Sequence, residues 1–152
     1  MIMTLNEALM KQNFISKILL KSGENELPKA LKAKVMNMRI SLSNIRSAFD
    51  KDVQNAIAEL KPKGFDELAQ KQNKTEDEDK NYKNMLDKLN EDYNAFLIEK
   101  GKEEVNFNKS FTEEEYEYIV EVNADNDVEI NQSKLSAPDF LEIIYSLFVE
   151  SN

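Results

Sequence analysis

Between Leu31 and Leu60 the apolar residues Leu31, Val35, Met38, Leu42, Ile45, Phe49, Val53, Ala56 and Leu60 recur at steps of four or three. That spacing keeps one stripe on one side of a helix for about eight turns. A helix of this length cannot bury its stripe against itself, so other segments or another chain must cover it. Pro28 fits its first turn, where a missing N–H costs nothing, and Pro62 with Gly64 stops it. The spacing therefore predicts a helix over 27–60.

A second stripe supplies the first partner. Tyr82, Leu86, Leu89, Tyr93 and Phe96 repeat the same steps, with Met85 and Leu97 beside them, and predict a helix over 79–100. The matching phase makes the two an antiparallel helical hairpin with interlocked seams. The longer helix then needs further cover near Leu31 and near Ala56 to Leu60, from the terminal helices or, where those fall short, from a partner. At the N-terminus Thr4 and Glu7 have capping-box spacing, predicting a helix to about Lys21, where Ser22 and Gly23 end it. Near the C-terminus Ser136 is the cap and Pro138 lies in the first turn. Phe140, Ile143, Ile144, Leu147 and Phe148 then form an apolar face. Phe65 to Gln72 reads as a short helical piece.

Residues 71–80 contain no apolar side chain and read as a mobile linker or an exposed helix start. Phe111 to Val122 supports two readings. Thr112 with Glu115 and Ser110 with Glu113 have the spacing of a helix start, whereas Tyr116, Tyr118, Val120 and Val122 alternate as in a strand. The strand reading is preferred, because Val120–Asn123 and Val128–Asn131 flank an Asp/Asn-rich connection, as in a β-hairpin. The expected architecture is mainly α, one domain over 1–152, with a small β-hairpin in the last third. Within it 4–63 is a basic helical part, 71–80 a polar linker and 81–152 an acidic part.

The net charge of −9 is unevenly spread. Residues 1–63 carry eleven Lys or Arg against six Asp or Glu, and residues 64–152 carry nine against twenty-three. Two halves of opposite sign most simply attract each other within the fold. The cations of the long helix, Lys29, Lys32, Lys34, Arg39, Arg46 and Lys51, have no interleaved aromatic residues for base stacking. They read as a solvated or internally paired face, and direct nucleic-acid binding is not expected.

The chain lacks His and Cys. Imidazole acid–base chemistry, thiolate nucleophiles and disulfides are therefore excluded. The three glycines stand apart, so no phosphate-cradling loop exists, and the acidic run 76–79 lacks the turn of a calcium loop. No catalytic residue, cofactor or metal is expected. No segment has the length and apolarity of a membrane span, and the first twenty residues lack the pattern of a secretory signal. A cytoplasmic location in a host cell is expected, with association to a virion left open.

The run LPKALKAKVMNMRISLSNIRSAFDKDV (27–53), the polar break, the second helix, the VEI triplet (128–130) and the closing LSAPDFLEIIYSLF (135–148) together resemble a family of small uncharacterised proteins of tailed phages and prophages. Its members have a short first helix, a Leu-Pro entry into a long basic helix, a VEI-like strand and a Leu-Ser-x-x-Asp helix. The resemblance implies a phage or prophage gene and carries no activity. Two interaction readings follow. In the first, apolar helix faces, including Phe140, Ile144, Leu147 and Phe148, engage a protein partner or a second copy. In the second, the acidic stretch 103–129, with Glu113, Glu114, Glu117 and Glu121, imitates phosphates and inhibits a host nucleic-acid-binding enzyme.

Overall fold

Thr4 accepts a hydrogen bond from the Glu7 N–H at 3.2 Å while Glu7 accepts one from the Thr4 N–H at 3.1 Å, so the capping box read from the sequence opens the first helix. The computed structural model describes residues 2–150. In chain order the elements are β1 (Ile2–Thr4), α1 (Leu5–Ile15), β2 (Lys21–Ser22), β3 (Asn25–Glu26), α2 (Lys29–Leu60) and α3 (Phe65–Gln70). They continue with α4 (Glu76–Gly101), β4 (Glu104–Asn106), α5 (Glu113–Asn123), β5 (Val128–Ile130), β6 (Ser133–Leu135) and α6 (Ala137–Phe148). The fold is mainly helical, and each sheet is a two-stranded antiparallel pair: β1 with β4, β2 with β3, and β5 with β6.

The chain forms two compact units, and α2 contributes to both. The terminal unit comprises Met1–Arg46 and Glu104–Asn152, and the middle unit is Ser47–Glu103. The division therefore falls within α2 rather than at 71–80. That polar run lies inside the middle unit, where Thr75 and Glu78 form a reciprocal capping box and Glu76 begins α4. Of its two readings, the exposed helix start holds.

The terminal unit contains the main core. Leu31, Val35, Met38 and Leu42 of α2 are buried there with Ala8, Ile15, Ile119, Phe140 and Ile144. The proximal half of the stripe is thus covered by segments from both ends of the chain. α1 stops at Ile15, short of the expected Lys21, because residues 16–20 turn and lead into a tight hairpin. Gly23 sits in its turn at φ 62°, a conformation that only glycine adopts cheaply.

The segment over 113–123 is a helix, which overturns the strand reading. Ile119, Val122 and Asn123 are buried and Tyr116 and Val120 pack on the core, a spacing of three and four, whereas Tyr118 of the alternating set is exposed. Thr112 and Glu115 close the capping box that starts it. The predicted β-hairpin does occur in the last third, but one strand later. Val128 pairs with Leu135 and Ile130 with Ser133, around Asn131 and Gln132, both at positive φ. Two consecutive positive φ values match a type I′ turn. A glutamine is an unusual occupant of such a turn, so the sequence pointed instead to the Asp- and Asn-rich stretch before it.

In the middle unit the end of α2 and α4 form the antiparallel helical hairpin. Lys100 near the end of α4 meets Asp52 at 2.8 Å, and Phe65 of α3 stacks on Tyr82 at 5.5 Å near the start of α4.

Candidate functional site

The predicted apolar interaction residues lie inside the terminal unit. Phe140, Ile144 and Phe148 are fully or almost fully buried, and Leu147 is partly buried against the same core. Packing of α6 on α1 and α5 consumes this face. Phe14 stacks on Phe140 with centroids 6.5 Å apart, and Phe111 lies against Phe148 at 5.8 Å. As residues for an external partner, Phe140, Ile144 and Phe148 are therefore corrected to core residues.

The predicted acidic residues stay at the surface. Glu113, Glu114, Glu117 and Glu121 are all exposed. A strand would have sent Glu114 to the opposite face from the other three. At about 100° per residue, the helix instead gathers all four within an arc of roughly 100°. Glu113 accepts a hydrogen bond from the Tyr145 hydroxyl at 2.5 Å, which holds that phenol above its ordinary pKa. The other three point no hydrogen bond at any described residue.

Four cations of α2 find partners within the fold, but of these only Lys34 reaches the acidic part of the chain, so the expected attraction between the two halves accounts for just that pair. Lys32 pairs with Glu26, and Lys34 meets Glu115 at 2.7 Å. Burial works to raise the pKa of Glu115. The hydrogen bonds from Lys34 and the Thr112 N–H outweigh it and hold the carboxyl below its ordinary value. Arg39 donates to the carbonyls of Ile15, at 3.1 Å, and Ile18. Arg46 donates to Leu9 O and Asn13 Oδ1 at 3.1 Å and to Gln12 Oε1 at 2.6 Å. Arg39 satisfies carbonyls at and just after the end of α1, and Arg46 reaches the Leu9 carbonyl and two amide side chains within α1, so both guanidinium groups are engaged inside the fold.

Two further surfaces stand out. The first is in the middle unit. Phe49, Val53, Ala56, Ile57 and Leu60 of α2 and Tyr82, Met85, Leu86, Tyr93, Phe96 and Leu97 of α4 are only half-buried. Phe65 and Leu89, each 9% exposed, are its most enclosed large apolar residues. The α2–α4 pair, with the short α3 against the start of α4, covers only part of each stripe. The exposed Ile98 belongs to the opposite, polar side of α4 and is isolated there.

The second is a cleft in the terminal unit of about 440 Å³, between α1, the loop 107–110 and the segment 146–150. Its apolar wall includes Met3, Met10, Phe107 and Phe148. Lys11 crosses it with Nζ 5.9 Å from the centre of the Phe107 ring and 5.6 Å from that of Phe148. Burial lowers the pKa of Lys11, against the opposing pull of Glu7. No sequence signal marked this cleft, because its walls come from three distant stretches of chain.

Among the described residues no cluster of three or more Asp or Glu is placed to hold a metal ion, and no helix is long and apolar enough to cross a membrane. No family model, curated protein or solved structure matches this chain.

Proposed function

We propose that this is a non-enzymatic protein–protein interaction protein of phage or prophage origin, serving as a structural or assembly accessory, and that it associates through the helical hairpin of its middle unit. The half-buried double stripe carries this reading. Two antiparallel helices with matched three–four spacing become a well-buried bundle when a further helical layer, from a protein partner or a second copy, closes over them. The origin rests on the resemblance in the order of elements from 27 to 148. The absence of His and Cys supports a non-catalytic role.

Sedimentation and affinity capture test the association. The wild-type chain is expected to run above its monomer mass of 17.6 kDa or to retain a partner. Leu86→Glu with Tyr93→Glu is expected to abolish this while helicity by circular dichroism is retained, and Ile98→Glu, on the far side of α4, to leave it intact. Association unaffected by the double change would overturn the assignment.

A second reading has its own observation, the single exposed face on α5 that holds Glu113, Glu114, Glu117 and Glu121. Such a row can stand in for phosphates on a basic host enzyme. Binding of that kind should weaken markedly between low and physiological ionic strength and fall with Glu114, Glu117 and Glu121 changed to Gln. Salt-insensitive binding would exclude it.

A further inference from the structure

We propose that the Lys11 cleft is a binding site for a small apolar monocarboxylate. The argument is one of complementarity. The wall mixes apolar side chains, among them Met10, Leu147 and Val149, with polar ones, and the Lys11 ammonium stands within it over the edge of the core at Phe107 and Phe148. Among the described residues Lys11 makes no ion pair within 4.0 Å and donates no hydrogen bond. An ammonium partly withdrawn from water, set over ring surfaces and hydrogen-bonded to none of the described residues, retains donor capacity that a carboxylate can use. The volume lies within the range of roughly 300 to 1,000 Å³ typical of small-molecule sites.

The other charges in the cleft narrow the class. Glu7 and Glu150 also line it, as does Lys109. Glu7 Oε2 is held by the Thr4 N–H, so that carboxylate is anchored on the first turn of α1 rather than on Lys11. Two cations and two carboxylates leave no surplus of positive charge. A dianion such as a phosphate monoester would be poorly compensated, whereas a monoanion can place its carboxylate on the Lys11 ammonium and an apolar tail on the accessible Met10, Leu147 and Val149.

Octanoate is a suitable probe, with octan-1-ol as the uncharged control, each titrated into the full chain and followed by amide NMR shifts. Saturable shifts are expected at residues 10–11, 110 and 146–149, with octanol at least tenfold weaker. Lys11→Met keeps the aliphatic stem and should reduce octanoate to the level of octanol, while Lys11→Arg should restore a preference for the acid; circular dichroism verifies that both fold. N-acetyl-Leu-Phe with a free or amidated C-terminus distinguishes the source of the carboxylate. Tighter binding of its free-acid form than of octanoate assigns the site to a peptide terminus, and weaker binding assigns it to a free acid. If octanoate binds no better than octanol, or equally well to Lys11→Met, the proposal fails.

Discussion

Phe140→Ala is expected to destabilise the terminal unit by about 3–5 kcal/mol, the usual cost of removing a buried phenyl ring. Phe140 is fully buried on α6 and stacks on Phe14, while Ile144, one turn later on the same helix, is equally enclosed. Loss of the ring leaves a cavity among side chains from both ends of the chain, and those helices cannot close over it without sliding. Against a typical total of roughly 5–15 kcal/mol, such a loss brings the unit near its limit. Denaturant unfolding followed by hydrogen exchange gives the direct measurement: amides of α1, α5 and α6 should lose protection together. Phe140→Leu should cost much less, since most of the volume is kept. Equal, small effects for both changes would show that α6 is not part of the core.

Asn123→Ala is expected to cost about 2–4 kcal/mol, although only a carboxamide is lost. Asn123 is the one fully buried polar residue among those described, and its side chain is fully engaged. Oδ1 accepts from the Leu19 N–H at 2.8 Å and from the Asn126 amide at 2.8 Å. Nδ2 donates to Ile119 O at 2.9 Å and Leu19 O at 3.2 Å. One side chain thus ties the turn after α1 to the end of α5, across more than one hundred residues of sequence. Alanine removes these bonds and leaves the Leu19 peptide without its partners, which is costlier than the absence of one hydrogen bond at the surface. Asn123→Leu fills the space and still orphans the same groups, so it should be no more stable than Asn123→Ala. Thermal melts of both variants check this. A melting temperature for Asn123→Leu close to wild type would show that packing, not hydrogen bonding, is what Asn123 supplies.

These two residues illustrate how differently the sequence exposed its own structure. Phe140 lies on a clean apolar face and was legible as a helix residue, yet the same face suited a partner as well as a core. Asn123 shares the buried side of α5 with Ile119 and Val122, a spacing of three and four that could have marked it. The alternation of Tyr116, Tyr118, Val120 and Val122 obscured that pattern. The Lys11 cleft left no mark at all, since Lys11, Phe107 and Phe148 become neighbours only through the fold.

The sequence alone determined the long helices, the terminal helices and most of their ends. Periodicity and capping act over a few residues, so Thr4 with Glu7, Ser136 with Asp139 and the stop at Pro62 need no tertiary context. How the stripe of α2 is shared depends instead on packing between distant segments. Its first half, at Val35, Met38 and Leu42, is sealed by segments from both termini, while its second half, from Phe49 to Leu60, has one helical layer and stays half-buried. Both halves carry the same repeat, and a repeat specifies which side of a helix is apolar but not what will cover it. Long-range contacts supply that cover. They also turned Arg39 onto the end of α1 and Arg46 onto its middle, and chose helix over strand for 113–123, because only a helix brings Ile119, Val122 and Asn123 to one buried side.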